Sequence, residues 1–472
     1  MITFILNNQL IKTEAPAGMS LLNFIRNEAG LKGTKSGCKE GDCGACTVLE
    51  GFLHESRVNY KTIVSCLTPL GNAHRKHIVT IEGLNIDDLT PVQQEIVNSA
   101  GTQCGFCTPG FIVSLTGYSL GKQAGLKPAA IASVAGNICR CTGYKSIEKA
   151  ALKVADLLKD KDSDHDIEWL SEHHFVPDYF KTIPERLSAI SPRATTAAQP
   201  DLTIGGGTDL MVQQPHTVKV SALNLTFDKP DLNTITQSGN KIILGASVTV
   251  NDLLNFKPLT TALPKLETWF KLVSSEQIRN TATLAGNFVN ASPIGDMSIF
   301  FLAMGAELTL SSPVGEKRNI LLKDFFLDYK KLDLAKDEII ETIEFELPGQ
   351  QSHVNFEKVS KRLHLDIASV NAAIKVSVSD NIITHASMAA GGIAPVPKFL
   401  SETSAWLSGK PLTLQTLLEA EKIMQQEVSP ISDVRGSVAY KRLLLRQLFF
   451  AHFTEMFPEI LTPNVVLPVL KA

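Results

Sequence analysis

Cysteine placement is the feature that most limits what this chain can fold into. All eight cysteines lie within the first 141 of its 472 residues, and the rest of the chain contains none. A secreted disulfide framework usually distributes cysteines through small domains, whereas thiols concentrated in one region favour metal or redox chemistry. The spacing separates them into two quartets: Cys38, Cys43, Cys46 and Cys66, then Cys104, Cys107, Cys139 and Cys141.

The first quartet has a C-x4-C-x2-C spacing with a distant fourth cysteine, which is typical of plant-type 2Fe–2S proteins. Its loop, SGCKEGDCGAC, also contains Gly37, Gly41 and Gly44. Four thiolates carry negative charge, and glycines allow positive-φ turns that aim backbone N–H groups at sulfur. The alternative is a structural zinc site, which the four-residue gap and the three glycines fit badly.

The second quartet, QCGFC followed by CRC, places each cysteine pair in a loop beside a predicted helix. The two pairs can therefore face one metal centre across a helical bundle. Taken alone, this spacing leaves structural zinc as an alternative. Beside a predicted iron–sulfur site, a second 2Fe–2S cluster is favoured.

The hydrophobic pattern of the first 160 residues predicts a small α+β unit followed by helices. Thr3–Leu6 and Gln9–Thr13 are predicted to form a hairpin, and Ser20 to cap a helix. Thr90-Pro91-Val92-Gln93 resembles a capping box. Further helices are predicted to begin at Thr108, Lys127 and Ser146.

Two glycine-rich turns follow in the second half. PDLTIGGGTDLM, residues 200–211, places three glycines after a predicted strand, where successive N–H groups can bind a phosphate. It is not the Rossmann fingerprint, because Leu210 stands where a glycine is required, and an ordinary strand–turn remains the alternative. The second turn, residues 278–297, is rich in small polar groups, and Asp296 there could accept a sugar or ribityl hydroxyl.

Charge and hydropathy give no indication of nucleic acid or a membrane as a partner. A net charge of −3 gives no reason to expect nucleic acid or an acidic membrane surface as the main partner. The N-terminus, MITFILNNQLIKTE, has no basic n-region, and no apolar run reaches the roughly 18–20 residues that span a bilayer. A cytoplasmic location is predicted.

GCKEGDCGACTV, QCGFCTPG and GNICRCTGY together resemble the paired 2Fe–2S domains of the molybdenum hydroxylases, the xanthine dehydrogenase and aldehyde oxidase family. The resemblance covers nearly all of residues 1–160. It implies a β-grasp ferredoxin domain with the first cluster and a four-helix bundle with the second. It also implies that Gln103 and Cys141 approach a molybdopterin cofactor on another domain or subunit.

The glycine-rich turns look like the FAD-binding domain of xanthine dehydrogenases and of the carbon monoxide dehydrogenase flavoprotein. In that fold the loop matching 203–210 wraps the FAD pyrophosphate, and the second turn contacts FAD as well. The resemblance departs at Val273, where some relatives have an aromatic, and at Ser369, where some animal relatives have a lysine. The implied FAD-binding residues are Thr203, Ile204, Gly205, Gly206, Gly207, Thr208, Asp209, Leu210, Thr283, Gly286, Asn287 and Asp296.

The predicted fold is therefore multidomain α+β. The plant-type 2Fe–2S domain is expected at 1–84 and the helical 2Fe–2S domain at 85–160. A charged, weakly periodic linker is expected at 161–176. The α+β FAD-binding domain is expected at 177–348, and DIASVNAAI and SDVRGSVAYKRLLLRQLF extend the resemblance to an α+β flavoprotein domain at 349–465.

Two clusters and FAD form an electron-transfer chain, and flavin can pass an electron pair as hydride to NAD⁺. The resemblance implies molybdopterin only on a separate large subunit, assembled as a dimer of heterodimers, where hypoxanthine or xanthine is hydroxylated. No catalytic base or nucleophile is then expected in this chain. The alternatives are the same role for an aldehyde, nicotinate or another N-heterocycle, a stand-alone flavin–iron–sulfur NADH:acceptor reductase, and a zinc-stapled scaffold.

Overall fold

A computed structural model describes residues 1–162, 166–192, 200–362 and 365–462. The chain forms two compact units. The first contains Met1–Phe227 and Ser274–Ala282, and the second contains Asp228–Val273 and Thr283–Ala472. The predicted domains and linker also include residues 163–165, 193–199, 363–364 and 463–465, which lie outside the described residues.

A five-stranded sheet opens the first unit. The predicted hairpin is present, and Asn7 in its turn has φ 54°. The strand Ile2–Leu6 is buried along its whole length because both its faces are covered: Phe4 packs into one core and Ile5 into another. In sheet order the strands are Gln9–Thr13, Ile2–Leu6, Lys76–Val79, Thr47–His54 and Arg57–Val64.

A short helix packs on this sheet. Ser20 caps it as predicted, with its hydroxyl oxygen accepting from the N–H of Asn23 at 3.3 Å. The helix is α-helical over Leu21–Asn23 and continues as a π-helix over Phe24–Glu28. The ring of Phe24 lies edge-on to that of Phe4, with centroids 5.6 Å apart, so helix and sheet share one core. This is the arrangement expected of a β-grasp domain.

Four helices follow in the same unit. The predicted capping box is formed: the Thr90 hydroxyl accepts from the N–H of Gln93, and the Gln93 side chain accepts from the N–H of Thr90. The second helix begins at Thr108 as predicted, with Cys107 in the N-cap position. The helices are Pro91–Asn98, Thr108–Leu120, Lys127–Ser133 and Lys145–Leu157.

The predicted linker at 161–176 is wrong in one respect, because it contains a helix, Asp166–Glu172. Leu170 on this helix is fully buried in the core of the four-helix region, as are Phe175 and Val176 after it. These few buried apolar residues are hard to recognise in the sequence because many charged residues surround them. Residues 166–176 are therefore part of the folded unit.

Smaller elements complete the first unit. The strands Leu202–Ile204 and Leu223–Leu225 pair in parallel. The remaining α-helices are Ile183–Ser188, Leu210–Gln213, Pro215–Val220 and Glu276–Arg279, and the 3-10 helices are Leu70–Ala73, Ile81–Leu84 and Asp178–Thr182.

The second unit contains an antiparallel sheet with helices. In sheet order its strands are Lys317–Leu321, Glu307–Ser311, Ile339–Glu346, Lys241–Gly245 and Ile235–Ser238. The accompanying helices are Val250–Asn255, Lys257–Ala262, Leu266–Lys271, Leu284–Asn290, Asp296–Met304 and Leu322–Phe325, with a 3-10 turn at Pro230–Leu232. Phe326–Asp328 and Lys331–Leu332 form a small separate hairpin.

A further antiparallel sheet belongs to the second unit. Its strands are Ser352–Val359, Val370–Ser379, Ile382–Gly391 and Lys398–Phe399, and Lys410–Pro411 pairs with the third of them. The helices Ser401–Leu407, Leu414–Glu427 and Val438–Met456 pack with it around one apolar core. In the part of the chain that the structure describes, no helix combines the length and apolar character needed to cross a bilayer.

Candidate iron–sulfur and flavin sites

The first quartet lies at one end of the β-grasp sheet, in the loop before strand Thr47–His54 and just after strand Arg57–Val64. Its thiols form two hydrogen-bonded pairs, Cys38 with Cys43 and Cys46 with Cys66. The N–H of Cys38 donates to the Cys43 sulfur, and the N–H of Cys43 donates to the Cys38 sulfur, both at 3.4 Å. Backbone amides therefore converge on sulfur, as the glycine-rich loop predicts.

The three glycines of this loop serve two different purposes. Gly41 and Gly44 have positive φ values of 82° and 64°, as predicted. Gly37 does not have a positive φ, so the expectation for it was wrong. A Cβ atom there would lie 2.7 Å from the sulfur of Cys43, and Gly37 is therefore required for close approach of the backbone to that thiol.

The second quartet lies at the beginnings of two helices. Thr108–Leu120 begins directly after Cys107, and Lys145–Leu157 begins shortly after Cys141. Cys141 donates to the sulfur of Cys104 at 3.6 Å, and Cys107 is hydrogen-bonded to Cys139. The positive ends of the two helix dipoles favour ionised thiols here, but burial at Cys107 and the bond to Cys104 at Cys141 outweigh this effect.

Hydrogen bonding splits the thiol pKa values within the first quartet. The bond from Cys43 lowers the pKa of Cys38 to about 5, and the same bond raises the pKa of Cys43. The bond from Cys66 likewise lowers the pKa of Cys46 and raises that of Cys66. Each pair therefore combines one thiol that ionises readily with one that holds its proton.

The second quartet has the same division. The N–H of Phe106, followed by the thiol of Cys141, lowers the pKa of Cys104, and the bond to Cys104 raises the pKa of Cys141. Burial raises the pKa of Cys107 to about 12. Burial also opposes ionisation of Cys139, but hydrogen bonds from the hydroxyl and N–H of Thr142, at 3.1 and 3.4 Å, outweigh it and lower its pKa.

Each quartet thus contains two hydrogen-bonded pairs of thiols, and the thiols of one pair also interact electrostatically with those of the other. Among the described residues, no three Cys, His, Asp or Glu side chains are grouped so that they could hold one metal ion. In a 2Fe–2S cluster each tetrahedral iron uses two positions for bridging sulfides and takes two thiolates. A single zinc ion would need four ligands within about 2.3 Å of one point. Four cysteines in two pairs are a donor set that fits a two-iron cluster.

Direct contacts join the two cysteine loops. The N–H of Ile138, the residue before Cys139, donates to the carbonyl oxygen of Cys43 at 3.0 Å. The side-chain amide of Asn137 donates to the carbonyl oxygen of Gly44, also at 3.0 Å. A single backbone hydrogen bond therefore links Cys43 of the first quartet to Ile138, the neighbour of Cys139 in the second quartet.

The two quartets differ in exposure. Cys46 and Cys66 are buried, whereas Cys104 and Cys141 are exposed. Gln103 is exposed beside them and donates its side-chain amide to the carbonyl oxygen of Cys141 at 3.2 Å. The second quartet is therefore the one that can be approached from outside the unit.

The first glycine turn lies in the first unit and is packed against backbone. Thr203 and Ile204 lie on the strand Leu202–Ile204, and Thr208 and Asp209 precede the helix that begins at Leu210. A Cβ atom at Gly206 would lie 1.7 Å from the carbonyl oxygen of Thr281, and one at Gly207, where φ is +90°, would lie 2.6 Å from that of Leu67. Asn72 donates its side-chain amide to the carbonyl oxygen of Gly205 at 2.9 Å.

The second turn lies in the second unit, where its polar side chains hold the turn in place. Thr283 caps the helix Leu284–Asn290 by accepting from the N–H of Gly286 at 3.2 Å. The side-chain oxygen of Asn287 accepts from the N–H and the hydroxyl of Ser298, at 3.1 and 3.0 Å. An oxygen acceptor has two lone pairs, so the Thr283 hydroxyl keeps acceptor capacity for a ligand, whereas both lone pairs of the Asn287 side-chain oxygen are used.

Asp296 is held by two buried partners. One carboxylate oxygen pairs with the ammonium of Lys358 at 2.7 Å, and the other accepts from the side-chain amide of Asn371 at 2.6 Å. Lys358, with 2% of its side chain exposed, also donates to the carbonyl oxygen of Leu272 at 2.8 Å. Sequence reasoning missed both partners, because Lys358 and Asn371 lie 62 and 75 residues from Asp296; Asn371 is part of DIASVNAAI, but that motif does not reveal its contact with Asp296.

Four domain families match the chain. A 2Fe-2S iron-sulfur cluster binding domain matches residues 4–70, and a [2Fe-2S] binding domain matches residues 80–152. The FAD binding domain in molybdopterin dehydrogenase matches residues 194–348. The CO dehydrogenase flavoprotein C-terminal domain matches residues 356–456. Fold and sites together define an iron–sulfur flavoprotein with two 2Fe–2S domains, and the predicted fold class is confirmed.

Several xanthine dehydrogenases are similar along nearly the whole of this chain. Xanthine dehydrogenase 1 of Arabidopsis thaliana is 29% identical over 93% of the chain and 38% of its own length. Xanthine dehydrogenase/oxidase of Rattus norvegicus is 26% identical over 98% of the chain and 39% of its own length. The chain thus spans about two fifths of these relatives. The four domains and these relatives support an iron–sulfur and FAD subunit of the molybdenum hydroxylase type.

Solved structures show a related fold over part of the chain. Carbon monoxide dehydrogenase from Hydrogenophaga pseudoflava has a chain that matches 55% of this one and 90% of its own length, with 23% identity and a TM-score of 0.51. Quinoline 2-oxidoreductase from Pseudomonas putida 86 matches the same shares with 22% identity and a TM-score of 0.50.

Proposed function

We propose that this chain carries electrons from a molybdopterin centre through two 2Fe–2S clusters to FAD, and on to NAD⁺, during hydroxylation of a purine such as hypoxanthine or xanthine. Its two 2Fe–2S domains, its FAD-binding domain and its similarity to xanthine dehydrogenases support this proposal. When bound, the clusters supply single-electron transfer and FAD supplies exchange with a two-electron acceptor.

The observation that carries the proposal is the pairing of thiols in both quartets. Each quartet presents two pairs, the arrangement that two bridged irons require, and the Ile138–Cys43 hydrogen bond joins the two loops. We therefore assign all eight cysteines as cluster ligands. They are Cys38, Cys43, Cys46 and Cys66 for the first cluster, and Cys104, Cys107, Cys139 and Cys141 for the second.

Exposure sets the order of the two clusters. The second quartet has two exposed thiols, so it suits electron entry from another protein surface. The first has two buried thiols and suits an internal relay towards FAD. For FAD itself we assign residues 203–210, Thr283, Gly286, Asn287 and Asp296, with the glycine turn admitting close backbone approach to the pyrophosphate.

The molybdopterin centre is proposed to belong to a separate large subunit, which docks on the exposed side of the second quartet, with two heterodimers assembling together. Phe106 is 47% exposed and Tyr144 is 39% exposed beside Cys104 and Cys141, which gives this side an apolar character. Gln103 can donate to and accept from a pterin edge. Substrate hydroxylation would take place on the partner, and this chain would supply no catalytic base.

Metal analysis and anaerobic reduction test this proposal. The purified protein should contain about four irons and four acid-labile sulfides per chain. NADH should reduce the bound flavin and then both clusters, because the acceptor reaction runs in reverse. Zinc in place of iron, or clusters that dithionite reduces but NADH does not, would contradict it.

Purification from the native host identifies the partner. A large molybdenum protein should copurify, and the complex should reduce NAD⁺ when xanthine is added. Turnover with an aldehyde or another N-heterocycle but not with xanthine would mean that the chain has the same electron-transfer role in a different hydroxylase. Recovery of the chain alone with NADH:acceptor activity would favour the stand-alone reductase.

A further inference from the structure

The segment Ser274–Ala282 belongs to the first unit, although the residues on both sides of it belong to the second. It contains one helical turn, Glu276–Arg279, capped by the hydroxyl of Ser275. The side-chain amide of Asn280 anchors its end by donating to the carbonyl oxygen of Thr62 at 2.8 Å. This nine-residue segment, called the strap below, leads directly into Thr283.

Gln277 is the polar centre of the strap and is fully buried. Its Nε2 donates to the hydroxyl of Ser114 at 3.2 Å and to the side-chain oxygen of Asn137 at 3.3 Å. Asn137 in turn donates to the carbonyl oxygen of Gly44, between two cysteines of the first quartet. A Cβ atom at Gly136 would lie 1.9 Å from Oε1 of Gln277, so the loop before Cys139 closes directly over this side chain.

Two further residues of the strap touch the other parts of the proposed electron path. Ile278 packs with Cys46 and Cys66 in one apolar cluster, and its Cδ1 would lie 2.7 Å from a Cβ atom at Gly41. Thr281 meets the glycine turn of the FAD-binding sequence, where its carbonyl oxygen excludes any side chain at Gly206. The strap therefore contacts both cysteine loops and the glycine turn at the same time.

We propose that the strap, with Gln277 as its central positioning residue, fixes the separation of the two clusters and thereby sets the rate of electron transfer between them. The idea rests on the proposed function, since it assumes that both quartets hold clusters. Gln277 touches no ligand and no reacting atom. It acts through Asn137, which holds Gly44 while the neighbouring Ile138 bonds to Cys43. Because Gln277 lies more than 130 residues from Asn137, this clamp exists only in the folded unit.

The test is Gln277→Met, which keeps the volume of the side chain and removes its amide. Ser114 and Asn137 remain bonded to each other at 2.8 Å, so the change leaves that pair satisfied. With iron and FAD contents unchanged, we expect the cluster-reduction phase after NADH addition to be slower than in the wild type, because electron tunnelling between two centres weakens as their separation grows. Flavin reduction by NADH should keep its wild-type rate.

Two measurements separate this idea from the proposed function. In dithionite-reduced protein, the magnetic interaction between the clusters seen by electron paramagnetic resonance should change in Gln277→Met, whether or not NADH is the physiological donor. Hydrogen exchange at the N–H of Ile138 should also become faster. If wild-type clusters are not reduced by NADH, the proposed function fails; if magnetic interaction and exchange are unchanged in the variant, the positioning role fails.

Ser114→Ala is the second variant in case Gln277→Met does not fold. It removes one of the two acceptors of Gln277 and should produce the same changes to a smaller extent. Ser119→Ala is its matched control, because Ser119 is buried in the same helix but its hydroxyl donates only to the carbonyl oxygen of Leu115. Equal behaviour of the two serine variants would overturn the proposal.

Discussion

At the scale of single residues, Gly44 is where the two cysteine loops depend most on the absence of a side chain. Its φ is +64°, and a Cβ atom would lie 2.3 Å from the carbonyl oxygen of Gly136. Gly44→Ala should therefore destabilise the first unit by about 2–4 kcal/mol, from left-handed strain together with overpacking. Denaturant unfolding measures this, and the signal of the first cluster should weaken with it.

Gly239→Ala is the control for Gly44→Ala. Gly239 has a similar φ of +61°, but a Cβ atom there would have nothing within 4 Å, so only the backbone strain of about 1–2 kcal/mol should remain. Equal losses in the two variants would show that crowding between the cysteine loops contributes nothing.

A buried histidine makes the second unit sensitive to acid. His452 is fully buried, and burial lowers its pKa to about 3. The unfolded chain, with a pKa near 6.5, binds this proton first, so the contribution of neutral His452 is complete above about pH 6.5 and declines towards pH 3. Between pH 7 and pH 5 the unfolding free energy of the wild type should fall by about 2 kcal/mol because of His452, and this part of the decrease should be absent in His452→Leu.

Unfolding free energies at both pH values provide the measurement. His54→Gln is the control, because His54 is an exposed histidine. An unchanged pH dependence in His452→Leu would mean that this histidine does not stay neutral in the folded protein.

At the scale of elements, local signals allowed correct predictions and long-range ones did not. The capping box at Thr90 and the cap at Ser20 were predictable because donor and acceptor lie three residues apart. The assignment of the two cysteine quartets as cluster ligands came from their spacing in the sequence and stays a prediction. The strap was not predictable, because Gln277 meets Ser114 at a separation of 163 residues and resembles any polar residue in sequence.

The helix Asp166–Glu172, hidden in a charged segment, can be tested by its one buried leucine. Leu170→Ala removes a fully buried side chain and should cost about 2–5 kcal/mol of the unfolding free energy, from lost burial and the cavity left behind. Leu157→Ala is the matched control, because Leu157 is 49% exposed on a neighbouring helix and its loss should be well under that range. Equally small losses of unfolding free energy in the two variants would support the original prediction that 161–176 is a linker.

At the scale of the whole molecule, the chain contributes two separate stretches to the first unit. The chain leaves the first unit after Phe227, returns for the strap, and leaves it again at Thr283. The two cysteine quartets and the first glycine turn thus belong to one compact unit, while Thr283 and Asp296 belong to the other. An electron carrier benefits from this division, because its clusters keep fixed positions within one folded body.

Cluster assembly should nevertheless be separable, because each quartet is built from its own loops. Cys43→Ser removes one thiol from the pair it forms with Cys38, so the first cluster should be lost, leaving about two irons and two sulfides per chain. Cys107→Ser should remove the second cluster instead, since it breaks the pair with Cys139. Electron paramagnetic resonance of the reduced proteins should show one different signal missing in each variant, with bound FAD unchanged in both. Loss of both signals and of flavin from either single change would mean that the quartets assemble as one site rather than as two.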